Sequence, residues 1–218
     1  MRKLLFAVIF VFSGILAFAQ QDQKAKSILE DVTKTTQSYK TIRAGFSYVM
    51  DNKSEGIHEE NEGEIIMAGN KYQLKMPQLG LEVYNNGKDV WTYMKDANEV
   101  SLASASDGSS DMINPSKLFT IYQHGFTYKF AGENTLGGQP VYVIDLFPES
   151  SNETIEYAKI RIYVDKQKML IKEAEMTGKE GNNYIIRISD MKTDIPADDK
   201  LFIFDAGKYP GVETVDLR

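Results

Sequence analysis

The sequence contains no cysteine and only two histidines among its 218 residues. The absence of cysteine excludes a disulfide framework, a thiolate zinc site, an iron–sulfur cluster, a cysteine nucleophile and a lipid attached through an N-terminal cysteine. His58 and His124 are 66 residues apart, which leaves little material for an imidazole metal site or a serine–histidine relay. We therefore expect no metal centre.

The sequence also lacks an excess of basic residues. It has 25 Lys and Arg against 31 Asp and Glu, a net charge of −6, and a pI near 5.1. Proteins that bind nucleic acids concentrate basic charge on one surface, so we expect no nucleic-acid partner. The motifs GxSxG, HExxH, GxxxxGK[ST] and GxGxxG, which mark common catalytic and nucleotide sites, are absent from the sequence. We therefore expect neither an enzyme nor a cofactor.

Long apolar runs are missing everywhere except at the N-terminus. Residues 1–19 begin with two basic residues, continue through the apolar run Leu4–Leu16 and end in the small-x-small triplet Ala17–Ala19. This order is typical of a cleavable secretory signal peptide, and the run is shorter than the about 20 residues that a membrane-spanning helix needs. We therefore divide the chain into a signal peptide (1–19) and one domain (20–218), and we expect the domain to be exported to a bacterial periplasm.

The pattern of the domain predicts one helix followed by many strands. Apolar residues recur at helical spacing between residues 22 and 40, from Ala25 to Tyr39. Alternation in Ile42–Met50 then predicts a strand, and Asn85–Lys88 predicts a type I′ hairpin, because Asn-Gly accommodates positive φ. In all we predict eleven short strands, at 42–50, 64–68, 71–76, 81–84, 90–94, 126–130, 141–147, 155–164, 170–176, 184–191 and 201–204, and we mark 99–103 as a candidate for one more.

Two of the connections are informative. Residues 54–61 predict a polar loop, so we interpret His58–Glu60 as a solvated turn rather than a metal cluster. Asn114–Tyr122 predicts a short helix, because Pro115 suits a first helical turn. Since alternating strands bury only one face of a sheet, we predict a mainly β protein with α (α+β): one large, curved antiparallel sheet with the helices packed on one face.

Several short motifs occur in order along the domain. They are Ala44-Gly45-Phe46, a strand led by Gly63, the block N-G-K-x-x-W-x-Y at Asn86–Tyr93, the segment Pro115–Phe119, and the closing segment Phe202–Val215. Each motif is weak alone, but their order over the whole domain resembles the LolA-type periplasmic lipoprotein carriers. The resemblance implies an unclosed β-barrel whose concave apolar face, covered by the N-terminal helix and a short lid helix, receives lipoprotein acyl chains.

One feature departs from that family. Its members commonly carry an Arg beside a Pro after the Gly63-led strand, where the Arg latches the lid helices, but this sequence has Met67–Lys71 there. Another frequent Arg is replaced by Gln73. The resemblance therefore does not extend to the latch.

The resemblance implies a monomeric periplasmic chaperone that carries lipoproteins from the inner to the outer membrane. Its partners would be acylated lipoproteins, an inner-membrane release transporter and an outer-membrane acceptor, and it would need no cofactor. Methionine suits such a surface because it adapts to irregular shapes. Strand parity and the lid assign the ligand-binding residues to Phe46, Tyr48, Ile65, Met67, Tyr72, Leu74, Met76, Trp91, Tyr93, Leu118, Phe119, Ile144, Leu146 and Ile162.

Three alternatives stay open. The first is an envelope sensor or interaction domain of the same fold that binds a signalling partner. The second keeps the fold but carries a glycolipid, a phospholipid or a pigment. The third is an enzyme that acts on lipids.

Overall fold

The computed structural model describes residues 23–106, 125–149 and 157–218. These residues form one α-helix, α1 (23–38), and twelve strands in a single sheet. Short 3₁₀ turns occur at Pro77–Leu79, Asp199–Phe202 and Ala206–Lys208. The strands are β1 (Ile42–Asn52), β2 (Ile57–Ala68), β3 (Lys71–Met76), β4 (Leu81–Asn85), β5 (Asp89–Met94), β6 (Glu99–Ser104), β7 (Phe126–Leu136), β8 (Gln139–Pro148), β9 (Tyr157–Asp165), β10 (Ile171–Gly178), β11 (Asn183–Thr193) and β12 (Glu213–Asp216).

The strand order joins two meanders in the middle of the sheet. Each strand of β1–β6 pairs with the next one in sequence, as does each strand of β7–β11. We call the antiparallel pairing of β1 with β11, which connects the two meanders, the seam. Only β12 runs parallel to its neighbour, β6. Because β7 and β12 are the two edges and do not pair with each other, the sheet is unclosed, and the predicted fold class is confirmed.

Helix α1 crosses the second meander. Near its start, Lys24 Nζ lies 3.2 Å from Glu133 Oε1 on β7 and 4.0 Å from the ring centroid of Phe130. Just after its end, the backbone N–H of Lys40 donates to Asp194 Oδ1 at 2.8 Å, and the chain enters β1. The 16 residues of α1 span about 24 Å at about 1.5 Å each, and five strand spacings of about 4.8 Å give the same length. The helix therefore reaches from β7 to the seam.

The main apolar core lies between α1 and the sheet. The helix contributes Ala25, Ile28, Leu29 and Val32, which are at most 5% exposed, so the predicted apolar stripe is confirmed. These four residues belong to one cluster with residues of ten strands. We call the side of the sheet that carries this cluster the inner face.

The opposite side, the outer face, is covered at β3–β6 by residues 199–212, which we call the strap. The Gln73 side-chain amide donates to the Leu201 carbonyl at 3.0 Å, and Lys71 Nζ lies 2.8 Å from Asp199 Oδ1. Phe204 is buried against residues of β4 and β5, where it forms a second aromatic cluster. The strap therefore packs across the outer face before β12 joins β6.

Two predicted segments are corrected by the structure. The predicted loop 54–61 is a turn followed by the first residues of β2, because residues 57–61 all pair with β1. This ladder outweighs the weak strand propensity of acidic residues. The predicted strand 201–204 is instead the end of a 3₁₀ turn and irregular chain. Its backbone does not pair in a ladder, and the Phe204 side chain packs onto the outer face.

The hairpin between β4 and β5 forms at the predicted position but with another turn type. Within this turn only Gly87 has a positive φ, of 90°, whereas both central residues of a type I′ turn have positive φ. The side-chain oxygen of Asn86 accepts the backbone N–H groups of Lys88 and Asp89 at 2.9 and 2.8 Å. Asn86 therefore stabilises the turn through its side chain instead of adopting positive φ.

Candidate functional site

Most of the predicted ligand-binding residues come together on the inner face. Tyr48 packs against the inner-face cluster and is half-buried. Leu118 and Phe119, predicted to form the lid, lie outside the described residues, as do the predicted signal peptide and His124. The residues that the cluster contains, each at most 8% exposed, are Phe46, Ile65, Met67, Tyr72, Leu74, Met76, Ile144, Leu146 and Ile162.

Two of the predicted residues lie on the other face. In the pairing of β4 with β5, Trp91 is opposite Tyr84 and Tyr93 is opposite Glu82, and both aromatic residues pack under the strap. Val90 points to the inner face, and its neighbour Trp91 points to the outer face. Because both residues are apolar, strand parity does not show which of them faces the inner side, and it misassigned Trp91 and Tyr93. The structure therefore removes Trp91 and Tyr93 from the surface that the other residues form.

The inner face is apolar and adaptable. Its cluster contains 25 buried residues, all of them apolar or tyrosine. Met67, Met76 and Met176 belong to it, and Met169 and Met191 pack against it. Methionine has three rotatable bonds and a polarisable sulfur, so it fills irregular spaces at low cost. Such a surface suits ligands whose shape is itself variable.

Three tyrosines border the inner face at one end of the sheet. The ring centroids of Tyr48 and Tyr184 are 6.0 Å apart, as are those of Tyr157 and Tyr184. Burial, together with the neighbouring tyrosines, raises the pKa of Tyr48 well above its usual value, so its hydroxyl stays neutral. Tyrosine combines an apolar ring with a polar tip, and this end of the inner face is therefore suited to a boundary between an apolar surface and water.

A carboxylate holds the strap on the outer face. Glu82 Oε2 accepts hydrogen bonds from the hydroxyls of Tyr84 and Tyr209 at 2.5 and 3.0 Å, and it lies 3.2 Å from Lys75 Nζ. Burial acts to raise the pKa of Glu82, but these three hydrogen bonds outweigh it and the pKa is lowered. The Glu82 carboxylate therefore stays ionised and links β4, β3 and the strap.

The polar groups of the described residues do not form a metal centre. Within these ranges no three His, Asp or Glu side chains converge. His58 Nδ1 is 3.4 Å from Asp51 Oδ1, and the His58 side chain is 66% exposed. In the same part of the chain, no helix is long and apolar enough to cross a bilayer.

A cavity that the sequence did not indicate opens between β10 and β11. It has a volume of about 530 Å³ and lies where the two strands separate. The sequence signal was missing because the cavity results from irregular strand ends, which periodicity does not predict. We call it the β10–β11 pocket, and its lining residues are Tyr39, Asp165, Lys168, Leu170, Ile171, Lys172, Ile188, Ser189, Asp190, Met191 and Thr193.

Two solved structures share this architecture. One is an uncharacterized conserved protein from Thermus thermophilus, with a TM-score of 0.59 and 13% identity over 88% of this chain and 98% of that chain. The other, from Vibrio parahaemolyticus, is a domain proposed to be an outer membrane lipoprotein-sorting protein. It has a TM-score of 0.50 and 12% identity over 83% of this chain and 97% of that chain. The fold is therefore the LolA-like fold that the sequence motifs resemble.

Sequence comparison places the chain in a family. A comparison with curated protein sequences gives no match. A family model described as "Uncharacterized protein" matches residues 77–193, more than half of the chain. The chain belongs to that family, whose description assigns no activity.

Proposed function

We propose that this protein binds the acyl chains of lipoproteins on its inner face and carries them across the periplasm. The observation that carries the proposal is the inner face itself, a cluster of 25 buried residues from α1 and ten strands without a charged member. A single soluble domain needs a core, but this core lies on an unclosed sheet and includes several methionines. These features suit a surface that exchanges its own contacts for those of a ligand.

The energetics favour exchange between α1 and an acyl chain. Ile28, Leu29 and Val32 are the larger apolar side chains of α1 on the core, and at about 1.5–3 kcal/mol each their burial contributes about 5–9 kcal/mol. At about 0.8 kcal/mol per methylene, about 6–11 buried methylenes offset the displacement of the helix. One acyl chain of ordinary length is therefore sufficient to compete with α1.

The same estimate limits how much of the cargo is buried. Three chains of about 16 carbons would contribute roughly 35 kcal/mol if fully buried, which exceeds the practical ceiling near 20 kcal/mol for noncovalent binding. Since a carrier also has to release its cargo, we expect partial burial. The three tyrosines at the end of the inner face are suited to the boundary where the chains leave the protein.

The remaining parts of the proposal concern location and partners. Residues 1–19 act as a signal peptide, and residues 20–218 work in the periplasm as a monomer. Cleavage leaves 23 basic residues against 31 acidic ones, a net charge of −8, which helps to keep the domain off anionic membrane surfaces. An inner-membrane transporter delivers the lipoprotein, and an outer-membrane acceptor receives it.

The test uses the absence of cysteine, since one introduced thiol is then the only thiol in the protein. Tyr48→Cys places it on the inner face, and Ser47→Cys places it on the outer face of the same strand at the neighbouring position. Both positions are half-buried. A synthetic triacylated lipopeptide is added, and the rate of maleimide labelling is followed by mass spectrometry.

The expected result is one lipopeptide per chain in native mass spectra, with labelling of Tyr48→Cys slowed at least tenfold and that of Ser47→Cys unchanged. The unacylated peptide should have no effect on either variant. Binding of a diacyl phospholipid but not of the lipopeptide would show that the cargo is a lipid other than a lipoprotein. A folded protein that binds neither would refute the carrier function and favour the sensor interpretation.

A further inference from the structure

Asn61 is a buried polar residue of the inner face whose side chain has no hydrogen-bonding partner. It is 8% exposed and lies directly opposite Tyr48 in the pairing of β1 with β2, and residues paired in this way share one face of a sheet. Within residues 23–106, 125–149 and 157–218, the Asn61 carboxamide forms no hydrogen bond. In the same ranges only Thr36 Oγ1 is both fully enclosed and unpartnered. The Asn61 carboxamide is therefore still open to a ligand.

The other buried polar residues of the described chain differ from Asn61 in this respect. Leaving tyrosines aside, there are five of them, and the side chain of each forms at least one hydrogen bond. They are Thr41, Asn52, Asn85, Asp165 and Glu173. Buried polar groups of folded proteins are nearly always paired, so a buried group without a partner requires an explanation. A ligand that supplies the missing partner recovers the free energy that an unpaired carboxamide costs.

The inner-face positions of β2 change along the strand from apolar to polar to charged. Ile65 is fully buried in the inner-face cluster. At the next inner-face position, a Cβ on Gly63 would lie 2.4 Å from Phe46 Cζ, so the Phe46 ring covers this glycine. Asn61 comes next and the exposed Glu59 follows it. At about 6.7 Å between alternate residues, Asn61 lies about 13 Å from Ile65. A ligand along β2 thus meets a hydrocarbon surface, then a neutral amide, then a carboxylate.

The groups around Asn61 favour an uncharged ligand group over an anion. Burial is the main cause of the raised pKa of Tyr48, and the Glu59 carboxylate contributes to it, so negative charge lies close to this hydroxyl. Among the described residues, the hydroxyls of Tyr48 and Tyr184 form no hydrogen bond. These hydroxyls can donate and accept without carrying charge. An anionic headgroup would be repelled by Glu59, whereas an amide would not.

An amide matches the Asn61 side chain better than an ester does. The carboxamide has N–H donors and a carbonyl acceptor, so it can form two hydrogen bonds with a secondary amide, one in each direction. An ester has no N–H, and it would leave the Asn61 carbonyl unpaired. In a triacylated lipoprotein, one acyl chain is joined to the terminal amino group by an amide and the other two are joined by esters. Asn61 therefore has groups that distinguish the first chain from the other two.

We propose that Asn61 binds the amide that joins an acyl chain to the N-terminus of a lipoprotein, so that the inner face prefers an amide-linked chain. The hydrocarbon of this chain lies on Phe46 and Ile65, and the peptide leaves the protein past Tyr48. The proposal rests on the proposed carrier function and adds the group by which the cargo is recognised. Sites that hydrogen-bond a ligand N–H discriminate against analogues without it, because their own polar groups are then left unpaired.

The test compares two synthetic triacylated lipopeptides that differ at one atom position. In the second lipopeptide, the amide N–H of the N-terminal acyl chain is replaced by an ester oxygen. The two carry peptides of different mass, they compete at equal concentration for the wild-type protein, and native mass spectra give the ratio of the two complexes. One hydrogen bond corresponds to about tenfold in affinity, so the amide form should be bound in about tenfold excess. Exchanging the two peptides should not change this ratio.

Two variants assign the preference to Asn61. Asn61→Leu keeps a side chain of similar size without polar groups and should bind both lipopeptides equally. Because the carboxamide has no partner in the described chain, the urea midpoint of this variant should be no lower than that of wild type. Thr92→Val is the matched control, because it removes a hydroxyl from a half-buried residue two positions from Val90 on the same face of β5. This control should keep the preference for the amide.

The outcomes separate this proposal from the carrier function. Equal binding of the two lipopeptides by the wild-type protein would refute the role of Asn61 and leave the carrier function standing. Binding of neither lipopeptide would refute both. An amide preference that persists in Asn61→Leu would overturn the assignment to Asn61. The wild-type comparison requires no substitution, so it remains decisive even if Asn61→Leu fails to fold.

Discussion

Replacing Phe204 with alanine should separate the strap from the outer face and destabilise the whole sheet. The Phe204 ring is 8% exposed and stacks on the Tyr209 ring at a centroid distance of 4.6 Å. Its centroid is also 5.7 Å from those of Tyr84 and Tyr93. Phe204 is thus, with Tyr209, one of the strap residues that contact both β4 and β5.

The expected loss follows from these contacts. Burial of a phenylalanine side chain contributes up to about 3 kcal/mol, and each aromatic pair adds about 0.5–1.5 kcal/mol. Because the neighbouring rings can partly collapse into the space, we expect the lower part of the range of about 3–5 kcal/mol that core Phe→Ala substitutions cost. The free energy of unfolding should therefore fall by about 3 kcal/mol.

The only tryptophan of the chain makes the assay specific. Trp91 packs against the aromatic cluster, so its emission reports on the outer face, while far-ultraviolet circular dichroism reports on the whole sheet. At a urea m-value of about 2 kcal/mol/M, the midpoint should fall by about 1.5 M in both signals.

The matched control is the neighbouring residue Ile203, which is 43% exposed. Ile203→Ala should change the free energy of unfolding by less than about 0.5 kcal/mol. A shift in Phe204→Ala no larger than that of the control would refute the role of the strap. A Trp91 transition at lower urea than the circular dichroism transition would show that the strap unfolds alone, and would refute its coupling to the sheet.

Three other substitutions test the charges and the packing through urea midpoints. Glu82→Gln should cost about 1–2 kcal/mol at pH 7, because Tyr84 loses an ionised acceptor. The folded pKa of Glu82 lies below its ordinary 4.5. The difference in free energy of unfolding between wild type and Glu82→Gln should therefore shrink as the pH falls from 4.5 through the folded pKa, and a difference that does not change with pH would contradict this. Burial raises the pKa of Glu173, and Arg187 only partly opposes this. Ionisation of Glu173 therefore destabilises the folded protein. The free energy of unfolding of Glu173→Gln should rise relative to that of wild type as the pH rises from about 4 to 7, and a relative fall over this range would refute the cost of ionisation. In Gly63→Ala the added carbon would lie 2.4 Å from Phe46 Cζ, and the expected loss is about 1–3 kcal/mol, which an unchanged midpoint would rule out.

Local patterns were sufficient where one face of an element is apolar and the other is polar. The stripe of α1 from Ala25 to Val32 predicted both the helix and its buried side. The same holds for β3, where Tyr72, Leu74 and Met76 alternate with polar residues and are the buried ones. In these elements periodicity and burial carry the same information.

Local patterns failed where both faces of a strand are covered. In β5 the inner face carries Val90 and the outer face carries Trp91 and Tyr93, so alternation shows which residues share a side but not which side is inner. The strap that covers the outer face is far away in sequence, and no spacing near β5 reveals it. For the same reason the β10–β11 pocket was missed, since it depends on how two bulged strands diverge.

The seam sets the order in which this protein reaches its fold. Apart from the seam and the pairing of β12 with β6, all strand pairs join strands that follow each other in sequence, so each meander can form from local contacts. The seam instead joins Ile42 to Thr193, 151 positions away. Such distant pairings form slowly because closing a long loop costs entropy before any contact repays it. Until β11 has formed, the edge of β1 that later pairs with it exposes unpaired backbone groups, and such an open edge is prone to aggregation. A protein that we propose to shelter the acyl chains of others therefore needs shelter itself until the seam has formed.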